Sequence, residues 1–406
     1  MSANTLPGLL VERAAASPNA VALRFFRQGK WNDVTLAQLR DKAAAIGSGL
    51  LARGVKSGEV VAVLAEDGPL GLASEFGAQG IGAIVQVVDP ALGAAEVQSL
   101  IKASRAVAVI TGDQEQFDKV DETRGEVPSV RLLIVDATRG LRALERLDRA
   151  DLDRTLTVVQ LVADAAPTSW TTAVTALDEN AGARVNGATI SSHASLLAEG
   201  RALANRLSIT KNDVLVSLQP LANDTEHAMA LAGPLLNGSV LHFRGRATAQ
   251  QAMRQVQPTV VYANPQWLAR VSDDTDAQVG RAKGLKKFAL DKGLNRRPAS
   301  NVMASGRRLN TLRIGGIIGA LGVFVMLAVT TSGNDVLRVG VALAMVIATG
   351  FALLAAGHGV AGPIRRRLGL ARCRAVLSTD GTSVKGSDLL GALQVPLIAA
   401  SKEATS

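Results

Sequence analysis

From Val34 onward the apolar positions switch between two periods. Leu36, Leu39, Ala43, Ile46 and Leu50 recur at three- and four-residue spacing, the mark of a helix with one buried face. Residues 60–65, VVAVLA between Glu59 and Glu66, then form a short apolar run that reads as a buried strand. The alternation continues, with strands predicted at 83–88, 106–111, 131–135, 215–217, 239–243 and 259–262 and helical stretches such as 95–103 between them. Strand and helix in turn predict an α/β fold whose sheets are largely parallel and covered on both faces. The charge-rich residues 137–158 predict a surface helix or loop, and 168–183 a polar connection of the kind that carries ligand loops.

Further on the pattern loses its polar half. Residues 314–332, IGGIIGALGVFVMLAVTTS, run for nineteen positions without a charge, and 339–360 supply a second uncharged run. About 20 helical residues cross an apolar core roughly 30 Å thick, so each run predicts a membrane helix. The short polar link at 333–338 makes the two an antiparallel transmembrane hairpin. Gly315 and Gly319 have the spacing that lets helices approach closely.

Charge sharpens this picture. The chain has 44 Lys+Arg against 35 Asp+Glu, a formal +9 over 406 residues. That sign raises nucleic acid as a partner, but with one Tyr, three Trp and eight Phe there are few platforms for base stacking, and nucleic acid is set aside. Residues 281–313 hold ten Lys/Arg and one acid, and 363–374 hold five arginines, so the rest of the chain is mildly acidic. With Arg307, Arg308 and Arg313 before the hairpin and Arg365, Arg366 and Arg367 after it, the positive-inside pattern predicts an inner-membrane protein of two spans. Its N- and C-terminal parts would both be cytoplasmic, and its partners bilayer lipid and an integral-membrane protein met through the hairpin. Residues 1–20 lack a basic start followed by an apolar run, which predicts no secretory signal. The single cysteine, Cys373, excludes an intrachain disulfide and reads as a buried or membrane-proximal bystander.

Several segments, in order, resemble AMP-forming acyl-CoA synthetases of the adenylate-forming superfamily, and in particular the long-chain fatty acid–CoA ligases. LPGLLVERAAASPNAVALRF, LRDKAAAIGSGLLARGVKSGEVVAVLAED and VVDPALGAAEVQSLIKASRAVAVITGD resemble the family's opening. NGATISSHASLLAEGRAL resembles the stretch after its phosphate loop, LQPLANDTEHAMALAGPLLNGSVLHF its leucine-proline-leucine-histidine segment, and NPQWLARV a helix start of long-chain members. IRRRLGLARCRAVLSTDGTSVKGSDLLGALQVPLIAAS resembles the strand and helix before the adenine-binding motif. The resemblance covers about 5–295 and 363–406 and implies the N-terminal domain of the adenylate-forming fold. The implied layout is an α/β body at 1–295, a basic juxtamembrane segment at 296–313, the hairpin at 314–360 and a return segment at 361–406 that completes the body.

In that family a Ser/Thr/Gly-rich loop ending in Pro-Lys-Gly surrounds the phosphates with amides, hydroxyls and a lysine. The matching residues here, Thr175 to Gly187, read TALDENAGARVNG: Asn186 stands for the lysine, Val185 for the proline, and Asp178 and Glu179 add negative charge. A carboxylate about 4 Å from a phosphate charge costs about 1 kcal/mol even in full aqueous screening. Thr175 and Arg184 offset part of this. The adenine and magnesium motif has its counterpart in AASKEATS at 399–406, where the aromatic is missing and Glu403 and Thr405 are what remains of the polar set. The sequence stops ahead of the family's ribose-binding aspartate, hinge and C-terminal lid, so no lid domain is expected. His193, after Ser191 and Ser192, reads as a structural helix-start residue; Asn223 replaces a family histidine, and Glu226 and His227 read as cap and surface residues.

These readings predict a membrane-anchored, catalytically inactive acyl-CoA synthetase-like protein. It would act as scaffold, accessory subunit or regulator of a membrane complex in lipid or cell-envelope metabolism, with no cofactor. The rival readings are an active long-chain fatty acid–CoA ligase using ATP, magnesium and CoA, and a fatty acid or acyl-CoA sensor.

Overall fold

The computed structural model describes residues 4–137, 154–163, 165–245, 248–283, 294, 358–378 and 385–399. They fall into two units, Met1–Ala249 and Gln250–Ser406.

In the first unit, Thr5 caps helix α1 (Leu6–Ala16) by accepting the Gly8 N–H at 3.2 Å. An antiparallel pair follows, β1 (Val21–Arg27) and β2 (Lys30–Thr35). Thr35 then opens α2 (Leu36–Ala52) with a reciprocal cap: its hydroxyl accepts the Gln38 N–H at 3.2 Å while the Gln38 side chain accepts the Thr35 N–H at 2.9 Å. Five strands run parallel: β3 (Val60–Leu64), β4 (Ile84–Val87), β5 (Ala108–Thr111), β6 (Leu132–Val135) and β7 (Thr155–Thr157). β8 (Gly182–Asn186) adds parallel to β4, and β9 (Thr189–Ser192) ends the sheet antiparallel, in the order β7-β6-β5-β3-β4-β8-β9. A second sheet sets β10 (Val214–Ser217) and β11 (Val240–Phe243) parallel beside β1, with β2 next to β1. The strands expected from apolar runs are all present, within a residue or two of their expected ends.

The parallel strands are buried on both faces, which is why they read as unbroken apolar runs rather than alternations. One face carries helices α4 (Ala94–Ser104) and α5 (Gln114–Asp121), and Leu64, Val97, Ile101, Val109, Phe117 and Leu133 form its dry core. Each such side chain contributes about 1.5–3 kcal/mol. The other face carries α2 and α3 (Pro69–Gly80), whose backbones nearly touch: a Cβ at Gly77 would stand 2.7 Å from the Ala43 carbonyl.

The polar connection expected at 168–183 is corrected here. Residues Pro167–Thr175 form a helix, and its Trp170 is fully buried in a slot between α2 and α3, donating Nε1–H to the Gly77 carbonyl at 2.9 Å. A methyl group at Gly47 or Gly80 would overlap the indole ring, so both glycines are required by close approach.

The second unit sets β12 (Val260–Tyr262), β13 (Ala375–Ser378) and β14 (Leu397–Ala399) in parallel register. Asn264 caps the helix Pro265–Arg281 through the Trp267 N–H at 2.7 Å. Arg254 Nε and Gln257 Nε2 donate to the Arg367 and Arg366 carbonyls, which satisfies the end of the helix His358–Leu368. Gly369 follows with φ +78°, pressed against the Met253 backbone.

The transmembrane hairpin is not sustained. Among the described residues no helix is long and apolar enough to cross a membrane. The runs from 314 to 357, with Gly315, Gly319 and the flanking Arg307, Arg308 and Arg313, lie outside the described residues. The helix described beside them, His358–Leu368, has 11 residues, about half a span, and its last turn holds Arg365, Arg366 and Arg367. The described residues form a mixed α/β fold with largely parallel sheets, as the alternation of strands and helices predicts. The expected two-span placement in an inner membrane is therefore corrected together with the hairpin.

Candidate functional site

In open α/β sheets, ligands bind at the carboxyl ends of the strands. In the first unit these ends bring together Asp67 after β3, Ser217 at the end of β10 and Gln219 after it, and Arg244 after β11. The helix Asp224–Ala230 adds Glu226. Asp67 accepts the Leu221 N–H at 3.0 Å, yet burial, with Asp89 and Glu66 nearby, pushes its carboxyl up to about 7 against the pull of that bond and of Arg244. Glu226, 1% exposed, is raised well above the ordinary carboxylate range by burial and by Asp67, with Ser217 and the Gln219 backbone opposing.

A raised acid makes folding less favourable as pH climbs from its ordinary value toward the folded one. Asp67→Asn, which keeps an acceptor for Leu221, is expected to stabilise the protein at pH 8 and to change little at pH 4. Urea melts at both values check this, and an unchanged or lower stability at pH 8 would count against it.

The stretch that corresponds to the phosphate loop closes a helix, makes a turn and enters a β-hairpin. Thr175 ends the helix Pro167–Thr175 with its hydroxyl donating to Thr172 O at 2.7 Å, and Asp178 closes a turn by accepting the Asn180 N–H at 2.9 Å. β8 and β9 then make a two-residue hairpin, Gly187–Ala188, whose Gly187 has φ +58° as such a turn demands. Arg184 is 3% exposed and points away from the turn: Nη2 donates to Leu221 O at 2.8 Å and Ala222 O at 3.1 Å and stands 3.5 Å from Asp224. Asn186 Nδ2 lies 2.9 Å from both Asp224 carboxylate oxygens. Arg184 is the only cation between 175 and 187. These residues do not fit a triphosphate, because the cation and the amide that would meet it are committed to the 221–224 segment.

Behind the hairpin sits a buried charge cluster that the sequence reading missed. Glu75 in α3, 1% exposed, is 2.7 Å from His227 Nε2, 4.0 Å from Arg184 Nη1 and 3.2 Å from Gln79 Nε2. Burial pushes its pKa up, but His227, by charge and hydrogen bond, and Arg184 outweigh burial and hold it below the ordinary range. Glu226 and His227 are thus interior residues, not cap and surface; the cap is Asn223, whose Oδ1 accepts the Glu226 N–H at 3.1 Å. His193 starts the helix His193–Leu207 and is fully buried; it accepts the Leu6 N–H on Nδ1 at 3.4 Å, and burial lowers it to about 4. Cys373 is likewise buried, with its thiol pushed up to about 12 by desolvation. Glu403 and Thr405 lie outside the described residues.

The fold is similar to that of the N-terminal domains of acyl-CoA ligases. Residues 10–176 match the family of AMP-binding enzymes. The long-chain-fatty-acid–CoA ligase FadD15 of Mycobacterium bovis and that of Mycobacterium tuberculosis are each 25% identical over 147 residues, 36% of this chain and 24% of theirs. The chain thus spans about a quarter of the length of these curated relatives. Among solved structures, the N-terminal domain of FACL13 from Mycobacterium tuberculosis superposes with TM-score 0.52 at 17% identity, covering 65% of this chain and 64% of that one. A benzoate CoA ligase from Burkholderia xenovorans gives 0.55 at 22% identity, covering 65% and 51%.

Proposed function

We propose that this chain is a catalytically inactive acyl-CoA synthetase-like protein that works as an accessory or regulatory subunit in fatty acid metabolism. The observation that carries the reading is the internal use of the phosphate-loop residues. Arg184 and Asn186 tie β8 to the 221–224 segment, and Asp178 and Glu179 present carboxylates where a nucleotide would bring its own charge. Adenylation rests on placing and neutralising phosphate oxygens, so losing those contacts removes the main electrostatic contribution to the reaction. The fatty acid context rests on the likeness to long-chain-fatty-acid–CoA ligases.

Calorimetry with ATP and with AMP, each with and without magnesium, is expected to give no binding heat. Pyrophosphate release from ATP in the presence of fatty acids of graded length is expected to stay at the blank. Release above the blank with any acid would overturn the proposal in favour of the ligase that uses ATP, magnesium and CoA. The sensor reading draws on the strand-end group of Asp67, Ser217 and Glu226, which does not depend on the altered loop. Native mass spectrometry of the purified chain would reveal a retained fatty acid or acyl-CoA in that case.

A further inference from the structure

Charge is divided unevenly between the two units. Residues 250–406 hold 20 Lys/Arg against 8 Asp/Glu, a formal +12, which leaves −3 for residues 1–249. Among the described residues of the second unit, the surplus gathers where the helices Ala249–Val256 and His358–Leu368 meet. Arg254 Nε and Gln250 Nε2 donate to the Arg367 carbonyl at 2.7 and 3.1 Å. Gln257 Nε2 donates to the Arg366 carbonyl at 3.0 Å, and Gln257 Oε1 accepts the Ala371 N–H at 3.1 Å. These bonds hold Arg254, Arg366, Arg367 and Arg372 around one corner, and all four are exposed. The segments that carry them, 249–262 and 358–378, contain no Asp or Glu. The unit's described acids, Asp273, Asp274, Asp276 and Asp388, sit on the helices Pro265–Arg281 and Ser387–Ala392.

Local structure accounts for only part of this charge. Arg365 is spent on the Leu370 and Cys373 carbonyls, at 3.0 and 2.6 Å, and Gln250, Arg254 and Gln257 meet the last carbonyls of the helix. Among the described residues Arg366, Arg367 and Arg372 have no such task. Like charges within a Debye length of about 10 Å repel one another until an anion meets them, and guanidinium forks suit phosphate oxygens. The sequence favours a lipid surface over an acidic protein. Residues 284–357 add nine Lys/Arg against two acids, and 314–357 have Asp335 and Arg338 as their only charges. Cations thus adjoin apolar chain, the composition that suits headgroups next to acyl chains. We propose that the corner of Arg254, Arg366, Arg367 and Arg372 is a docking surface for anionic phospholipid headgroups. Such contact is made from one side of the bilayer and requires no helix that crosses it. It stands whether or not the chain binds a nucleotide.

Co-sedimentation of the full chain with lipid vesicles tests it. Binding is expected to vesicles of one part phosphatidylglycerol to two of phosphatidylcholine, to weaken as salt rises, and to be absent with phosphatidylcholine alone. Arg366→Gln/Arg367→Gln/Arg372→Gln is expected to bind about a hundredfold more weakly, about fivefold for each arginine replaced. Arg366→Lys/Arg367→Lys/Arg372→Lys, which keeps the charge, is expected to bind as the wild type does. All three positions are exposed, so both variants should keep the wild-type urea midpoint. If the glutamine triple does not, Arg372→Gln alone decides, at about fivefold. Equal binding to neutral vesicles, or anionic binding that the glutamine variant retains in full, would overturn the proposal. So would capture by immobilised polyglutamate without capture by the vesicles, which would make the corner a contact for an acidic protein. Release from the vesicles by inorganic phosphate at constant ionic strength would also end it, in favour of a site for free phosphate.

Discussion

Trp170→Ala is expected to destabilise the protein by about 3–5 kcal/mol, the range for deleting a large aromatic side chain from a packed core. Trp170 is fully buried, and the residues around it were shaped to receive it. Gly47 on α2 and Gly80 on α3 leave room for the indole, and Gly77 both lets the helices approach and accepts the indole N–H at 2.9 Å. Alanine would leave a cavity walled by helix backbone, which cannot close by rotating side chains, and would strand the Gly77 carbonyl. Trp170→Phe should cost less, since it keeps most of the ring and loses the hydrogen bond. The complementary change, Gly80→Ala, should also destabilise by pushing the indole out of its slot. Urea unfolding of the three variants measures this. A loss of under about 1 kcal/mol for Trp170→Ala would mean that the helix Pro167–Thr175 is peripheral to the core.

This same helix shows where the sequence is hard to read. TSWTTAVT is dominated by threonine and looks like a loop, but Trp170 and Val174, one turn apart, are both buried and anchor it to α2 and α3. Two apolar residues are too few to register as a period. The parallel strands were legible because their burial on both faces writes a continuous apolar run, and His193 and Cys373 were legible because local context suffices for them. Glu226 and His227 were not, since charged side chains are rarely fully buried without a partner and theirs is distant. His227 meets Glu75 across 152 positions of sequence. The available signal was Glu75 itself, a lone carboxylate in the otherwise small and apolar PLGLASEFGAQG of α3. The expected hairpin finds no counterpart among the described residues, where no helix is long and apolar enough to cross a membrane.

Arg184→Met is expected to cost about 3–5 kcal/mol, because it leaves Glu75 as a buried carboxylate with only His227 and the Gln79 amide beside it. Glu75→Leu should also destabilise, for it takes the carboxylate away from His227 and leaves Arg184 only its contacts with the 221–224 segment. The double variant Glu75→Leu/Arg184→Met should lose less than the two single losses together, since neither charge then remains unmatched. A double-mutant cycle in urea isolates that coupling, and additive losses would show that the two charges act separately. The pH dependence follows from the same geometry. The folded pKa of Glu75 lies below its ordinary value of 4.5, so its stabilising effect is complete above that value and drains away as pH falls through the folded one. Asp67 and Glu226 act with the opposite sign and favour the folded state as pH falls toward their ordinary values. Glu75→Gln should therefore flatten the acid limb of the stability profile while leaving in place the opposite limb that Asp67 sets as pH climbs from 3.8 to about 7. The two limbs can be altered independently because the acids that set them sit in different surroundings: Glu75 against a histidine and an arginine, Asp67 and Glu226 against each other at the strand ends.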